Sequence, residues 1–201
     1  MAKGTRDIIL RDRLQFDINA TGDTALVYGR IDLSDYVSIV KNEGLAIKEI
    51  RFQLRAPRDG AGLGDWPLNL LADNYSGPAT GSLKVFATTT AYELVADVGI
   101  ASPNVICIME LQSTYATPNT TLPAADRAQN LVTRTTYYGT PDLHPEGYDV
   151  VTDLLIGIAL NNCDAAQLAD TTAELDVMII AEPKKITQKD LTQMLTQAQD
   201  L

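Results

Sequence analysis

The sequence predicts an all-β protein, an antiparallel β-sandwich that ends in one short amphipathic helix. Three observations support this prediction. Apolar or alternating runs of strand length recur along the chain, Gly, Pro, Asn and Asp separate them, and one capped segment near the C-terminus has helical spacing. With 201 residues, of which 45% are hydrophobic, the chain has enough apolar side chains for a sizeable core. Residues 1–201 are therefore expected to form a single domain.

The predicted strands differ in how clearly they alternate. The clearest alternation is Ile47–Arg55, in which Ile50, Phe52 and Leu54 fall on one side and charged or amide side chains on the other. Such a strand has one face in water, as in an antiparallel sheet. The nine predicted strands are Asp7–Ile18, Ala25–Leu33, Ala46–Ala56, Leu83–Thr89, Tyr92–Val98, Val105–Tyr115, Leu131–Tyr138, Val150–Leu160 and Leu175–Ala181.

Two of these strands contain continuous apolar runs, Val105–Met109 and Val177–Ala181. A continuous run is typical of a strand that is covered on both faces of its sheet. In a subunit of an assembly, a neighbouring chain can supply the second cover.

Long connections separate several of the strands. Pro57–Gly64 is rich in glycine, Thr117–Gln129 contains two prolines, and Tyr138–Gly147 contains two more. Short strands with long loops at their ends are typical of a jelly roll. The sequence thus predicts a single jelly roll.

The C-terminal segment, about residues 187–200, is predicted to be the helix. Thr187-Gln-Lys-Asp190 has the form of a capping box. Apolar residues then follow at i, i+3, i+4 and i+7, which places them on one helical face. They form a candidate subunit-contact face: Leu191, Met194, Leu195 and Ala198.

Three roles stay open for this face: packing on its own domain, docking onto a neighbouring subunit, or lying on a membrane. Asp190 and Asp200 offset Lys189 on the polar side, so an anionic bilayer gains little from the helix. Membrane contact is therefore the least favoured of the three.

Charge and cysteine content exclude several classes of function. The formal net charge is −10, and Arg6, Arg11 and Arg13, the densest basic group, are interleaved with acids. Phosphate backbones are bound by clustered Lys and Arg, so we expect no direct binding of nucleic acid. Cys107 and Cys163 do not have the spacing of a metal site, and two buried thiols are favoured over a disulfide.

No motif in the sequence indicates catalysis. His144, the one histidine, has a loop-like context, which favours an exposed side chain over a catalytic base. Gly60–Asp65 lacks the lysine of a phosphate-binding loop. We expect no enzymatic activity, no catalytic residue, no cofactor and no metal. The polar start, Met1–Arg6, predicts no signal peptide, and no stretch is apolar for long enough to predict a membrane span.

Taken together, the Ile47–Arg55 strand, the two apolar runs and the Pro- and Gly-rich loops resemble the single jelly-roll major capsid proteins of icosahedral viruses. The resemblance implies a self-assembling coat subunit in a virion, which forms capsomers with copies of itself, with or without a second coat protein. Many such proteins carry a basic N-terminal arm. Met1–Leu14 departs from that pattern, so something other than this chain would neutralise the genome.

Two other functions remain as alternatives. A carbohydrate-binding, lectin-like sandwich would need exposed aromatic side chains beside acids or amides, for which Trp66 with Asp65 and the pair Tyr137–Tyr138 are candidates. A phage tail, fibre or pilus-like subunit is the alternative within the structural class. The three functions differ in what they predict for the purified chain: shells or capsomers, retention on a glycan, or fibres.

Overall fold

The computed structural model describes residues 7–56, 64–72, 75, 78–115, 131–139 and 146–197, which form a two-layer β-sandwich with one α-helix. Sheet A has the strand order β1-β9-β3-β7 and sheet B the order β2-β8-β4-β5-β6. All neighbouring strands are antiparallel. The elements are β1 (Ile8–Ile18), β2 (Thr24–Ile31), β3 (Glu43–Arg55), β4 (Ala79–Thr88), β5 (Val105–Tyr115), β6 (Leu131–Tyr138), β7 (Tyr148–Val150), β8 (Leu154–Asn161), β9 (Thr171–Lys185) and α1 (Gln188–Gln197). The predicted antiparallel sandwich with a short C-terminal helix is confirmed.

The strands pair in a nested order. The pairs are β1 with β9, β2 with β8, β3 with β7, and β4 with β5. The second half of the chain therefore runs antiparallel to the first half. The successive strand pairs alternate between sheet A and sheet B. This is the connectivity of a single jelly roll, with β6 added beyond β5 at one edge of sheet B.

The core lies between the inner faces of the two sheets. Along β9, the side chains from Ala173 to Ala181 alternate between buried and half-buried, as expected for a strand with one inner face. Ile47 and Ile50 in β3 both point inward because a bulge interrupts the register between Ile47 and Glu49. The inner layer is aliphatic, as the low aromatic content predicts.

One of the predicted strands is wrong, and another is divided between two strands. Tyr92–Val98 contains a short 3-10 helix, Val95–Asp97, and its buried or half-buried apolar residues recur every third position, not every second. Val150–Leu160 is broken after Val150, where the chain leaves β7 in sheet A and enters β8 in sheet B. The apolar run continues through this crossing because both ends of it are buried.

The last strand is longer than predicted and continues past Pro183. Pro183 is paired with Leu45 of β3, and the described pairing of β9 with β1 extends only to Ala181. Pro183 therefore does not end the strand, and α1 begins only at Gln188.

Candidate functional site

Helix α1 packs on its own domain. The Thr187 hydroxyl accepts a hydrogen bond from the Asp190 N–H at 3.2 Å and donates one to the Asp190 carboxylate at 2.7 Å, so the predicted capping residues do cap the helix. Leu191 is 1% exposed and lies in a small apolar cluster with Val151 and Ile186. Met194 packs against the same cluster.

Part of the predicted subunit-contact face is therefore used within the domain itself. Leu191 has almost no surface to offer a neighbouring subunit, and Met194 is half-buried. Ala198 and the side chain of Leu195 lie outside the described part of the structure. A contact between this face and a second subunit stays a prediction for those two residues. Within the described residues, no helix combines the length and apolar character that crossing a membrane requires.

The outer face of sheet B is covered by the chain itself. Phe86 and Ile108 point outward from β4 and β5, yet both are buried beneath the connection 89–104, which contributes Val98. The Tyr28 ring meets Phe86 edge-on, with 5.8 Å between the ring centroids. The Tyr28 hydroxyl accepts a hydrogen bond from the Tyr92 N–H at 2.7 Å, which ties the connection to β2. The second cover of Val105–Met109 is therefore this connection and not a neighbouring chain.

A groove occupies the rest of the outer face of sheet B. Its volume is about 570 Å³. Lys84 crosses its floor, donating a hydrogen bond to the Val98 carbonyl at 2.8 Å and pairing with Glu110 at 3.2 Å. Neutral side chains able to bond hydroxyl groups line it as well, among them Ser82, Gln112 and Asn161.

The outer face of sheet A is different. Among the described residues, no connection lies over it in the way that 89–104 lies over sheet B. Ile9 of β1 and Ile180 of β9 form a cross-strand pair on this face, and Met178 lies two residues before Ile180 on β9. Ile9 is 52% exposed, and Met178 and Ile180 are half-buried. The inward side chains of Val177–Ala181 are therefore buried as predicted, but its outward side chains are only half-buried in the single chain.

Three arginines surround Met178 on that face. Arg11 and Arg51 are its direct cross-strand neighbours, and Arg13 lies one step along β1. They border an open depression of about 730 Å³. Arg13 donates to the Asp176 carboxylate at 2.5 Å, and this bond lowers the pKa of Asp176.

The remaining arginines differ in their partners. Arg51 pairs with Glu49. No described residue pairs with the Arg11 side chain. Reasoning from sequence missed this cluster, because only the register of three strands that are distant in sequence brings these residues together.

The aromatic residues predicted for sugar binding are dispersed. Trp66 packs beside Phe16, with 6.4 Å between the ring centroids, and belongs to the edge of the core. Tyr138 packs against the cluster beneath the connection 89–104, whereas Tyr137 is 50% exposed on β6. Among the residues that the structure describes, no aromatic side chain borders the groove on sheet B.

Two of the features considered for chemistry lie outside the described part of the chain. His144 and residues 60–63 of the glycine-rich loop lie outside the described residues. The described residues contain no group of three or more His, Cys, Asp or Glu side chains that could hold a metal ion. The absence of a catalytic site, cofactor and metal stays a prediction.

Cys107 and Cys163 are both buried, and no disulfide joins them. Desolvation raises the pKa of the Cys163 thiol from 9.0 to about 12. The thiol donates a hydrogen bond to the Ser82 carbonyl at 3.3 Å. This confirms the predicted preference for buried thiols over a disulfide.

We expect the Cys163 thiol to resist alkylation in the folded protein. Burial blocks access, and the raised pKa leaves almost no thiolate at pH 8. Its contribution to stability is complete below pH 9 and is lost as the pH rises toward 12, because the folded state holds the proton more tightly. Mass spectrometry after iodoacetamide treatment checks this; rapid labelling of Cys163 without denaturant would contradict it.

Comparison with known proteins does not identify a family for this chain. No family model matches the chain, and no curated protein matches it. Among solved structures, the chain is similar to the crystal structure of the tailspike protein of Acinetobacter baumannii phage AM24, with 10% sequence identity and a TM-score of 0.19. The match covers 88% of this chain but only 26% of the tailspike chain. A TM-score of this size carries no argument about function.

Proposed function

We propose that this chain is a structural, self-assembling coat subunit, a viral capsid protein that forms capsomers with copies of itself. In this proposal it resides in the virion and acts without catalysis or cofactor. It binds no nucleic acid directly, and a second coat protein can join the same shell. The jelly-roll connectivity supports the proposal by analogy only, because one fold serves many functions.

The observation that carries the proposal is a set of exposed apolar side chains in two connections of the sandwich. Ile39 and Val40 are adjacent in the connection between β2 and β3, with 47% and 94% of their surface exposed. Ile100, in the connection between β4 and β5, is 74% exposed. Apolar tips of this kind favour burial against another molecule, by roughly 1.5–3 kcal/mol for each side chain that is fully covered.

The two connections that carry these side chains leave sheet B at the same end of the molecule. Strands β2 and β4 both pair antiparallel with β8, so they run in the same direction and their following connections leave sheet B at one end. Helix α1 is at this end too, because the Ile186 N–H bonds the Asn42 carbonyl at 2.9 Å. We call it the helix end. An assembly contact there would bury Ile39 and Val40 together.

Negative-stain electron microscopy of the purified chain tests the proposal. Shells or uniform capsomers are the expected result. Fibres would favour the tail, fibre or pilus-like alternative. Particles the size of a single subunit, at every concentration that the grid allows, would contradict a self-assembling role.

Carbohydrate binding is the second candidate, and the groove on sheet B is the observation that favours it. Its carboxylate and amide side chains are groups that bond sugar hydroxyls, although no aromatic ring of the described part of the chain borders it. A glycan array probed with the chain separates the candidates. Binding that is abolished by Glu110→Ala, from a chain that stays monomeric, would favour the carbohydrate-binding function.

A further inference from the structure

A closed shell needs more than one kind of contact between its subunits. A single self-complementary surface gives a dimer, and a single head-to-tail contact gives a ring or a filament. If the helix end supplies one contact, as the proposed function has it, another surface must supply the next. The structure offers a second surface with different chemistry.

We infer that the outer face of sheet A, around β1, β9 and β3, binds a second copy of this chain. The inference rests on the proposed function and adds to it the location of a second contact. It is carried by the half-exposed apolar residues of this face, by its charge balance and by Arg11.

The apolar residues are the first argument. Ile9 and Ile180 form a cross-strand pair, and Met178 extends the apolar strip along β9. The equivalent outward residues of sheet B, Phe86 and Ile108, are buried by the connection 89–104. The two sheets therefore differ, and the strip on sheet A is the one that another molecule must cover.

The charge balance of this face favours another copy as that molecule. The whole chain carries 16 basic and 26 acidic residues, so copies that meet at random surfaces repel each other. Acids and bases almost cancel on the outer face of sheet A, where repulsion between copies is smallest. The bases there are Arg11, Arg13, Lys48, Arg51, Arg55 and Lys184, and the acids are Asp7, Asp17, Glu49, Asp149, Glu174, Asp176 and Glu182.

Ion pairs within the chain account for most of these charges. Lys48 holds Asp7 at 2.6 Å and Glu182 at 2.7 Å, and Arg55 lies 3.4 Å from Glu174. Arg11 is the exception, since none of the described residues pairs with its side chain, and it borders the depression beside Met178. A carboxylate from a second copy, which has acids in excess elsewhere on its surface, would complement Arg11.

A matched pair of double variants tests the inference. Ile9→Glu with Arg11→Glu places two acids on β1, an edge strand of sheet A. Val132→Glu with Arg134→Glu makes the same changes, at the same spacing, on β6, an edge strand of sheet B. Val132 is 62% exposed and Ile9 is 52% exposed, so neither pair disturbs the core. Thermal unfolding followed by circular dichroism verifies that both variants fold.

Sedimentation velocity then compares both variants with the wild-type chain. We expect the sheet A pair to raise the concentration needed for assembly by about tenfold or more, and the sheet B pair to leave it nearly unchanged. If the wild-type chain assembles and the two pairs behave alike, this face is not a contact surface, although the proposed function stands. If the wild-type chain stays monomeric at all concentrations, the proposed function fails, and the inference fails with it.

Discussion

Replacing Phe86 by alanine is expected to lower the free energy of unfolding by about 3–5 kcal/mol. Phe86 is 0% exposed, although its strand directs it away from the sandwich interior. Its ring lies over Gly157, where an added Cβ would come within 2.3 Å of the ring. Truncating the ring leaves a cavity beneath the connection 89–104 and removes the edge-on contact with Tyr28.

Urea unfolding followed by fluorescence measures this loss. The control is Tyr137→Ala, which truncates an aromatic side chain on the same sheet that is 50% exposed and should change stability much less. Limited proteolysis gives a second readout, because the Phe86 variant should be cut faster within 89–104. Equal stability changes in the two variants would show that the connection does not seal this face.

Replacing Leu191 by alanine is expected to lower the free energy of unfolding by about 2–3 kcal/mol. Leu191 is 1% exposed and packs with Val151 and Ile186, so its loss leaves a cavity between α1 and the sandwich. The cluster is small and lies at the edge of the molecule, which places the expected loss in the lower part of the usual range. Chemical denaturation measures the change.

The comparison variant is Gln193→Ala, at an exposed position on the face of α1 opposite Leu191. It should leave stability within about 0.5 kcal/mol of the wild-type chain. The same two variants test the role of the helix in assembly. Weaker assembly of the Leu191 variant with no loss of stability would show that this residue serves a neighbouring subunit and not its own domain.

Local sequence patterns predicted most of the strands, because alternation along a strand reports directly on its inner and outer faces. Ile47–Arg55 is the clearest case, and its side chains face the core and the solvent as its spacing predicts, apart from the bulge before Glu49. The capping residues Thr187 and Asp190 likewise predicted the start of α1, because a cap is a contact within one turn.

Features that depend on distant contacts were not predictable in this way. Tyr92–Val98 was predicted as a strand because its apolar residues suit a buried segment, yet it lies across sheet B as a loop and a 3-10 turn. The sequence shows that Val105–Met109 is covered on both faces but not what covers it. The answer depends on where a connection of the same chain folds.

The surfaces proposed for assembly were also hidden from sequence. Arg11, Met178 and Arg51 are far apart in the chain and meet only through the registers of β1, β9 and β3. The predicted contact face on α1 was identified from its helical spacing, but spacing alone does not distinguish an intramolecular contact from an intermolecular one. Leu191 is buried within its own domain. The proposed assembly surfaces are therefore the outer face of sheet A and the helix end.

The mass of the chain in solution, measured by sedimentation velocity over a wide range of concentrations, tests the central claim most directly. A self-assembling subunit should pass from 21.8 kDa to discrete multiples of that mass as the concentration rises. It should do so more readily at higher salt, because screening weakens repulsion between copies with a formal net charge of −10. A single species of 21.8 kDa under all of these conditions would contradict the claim.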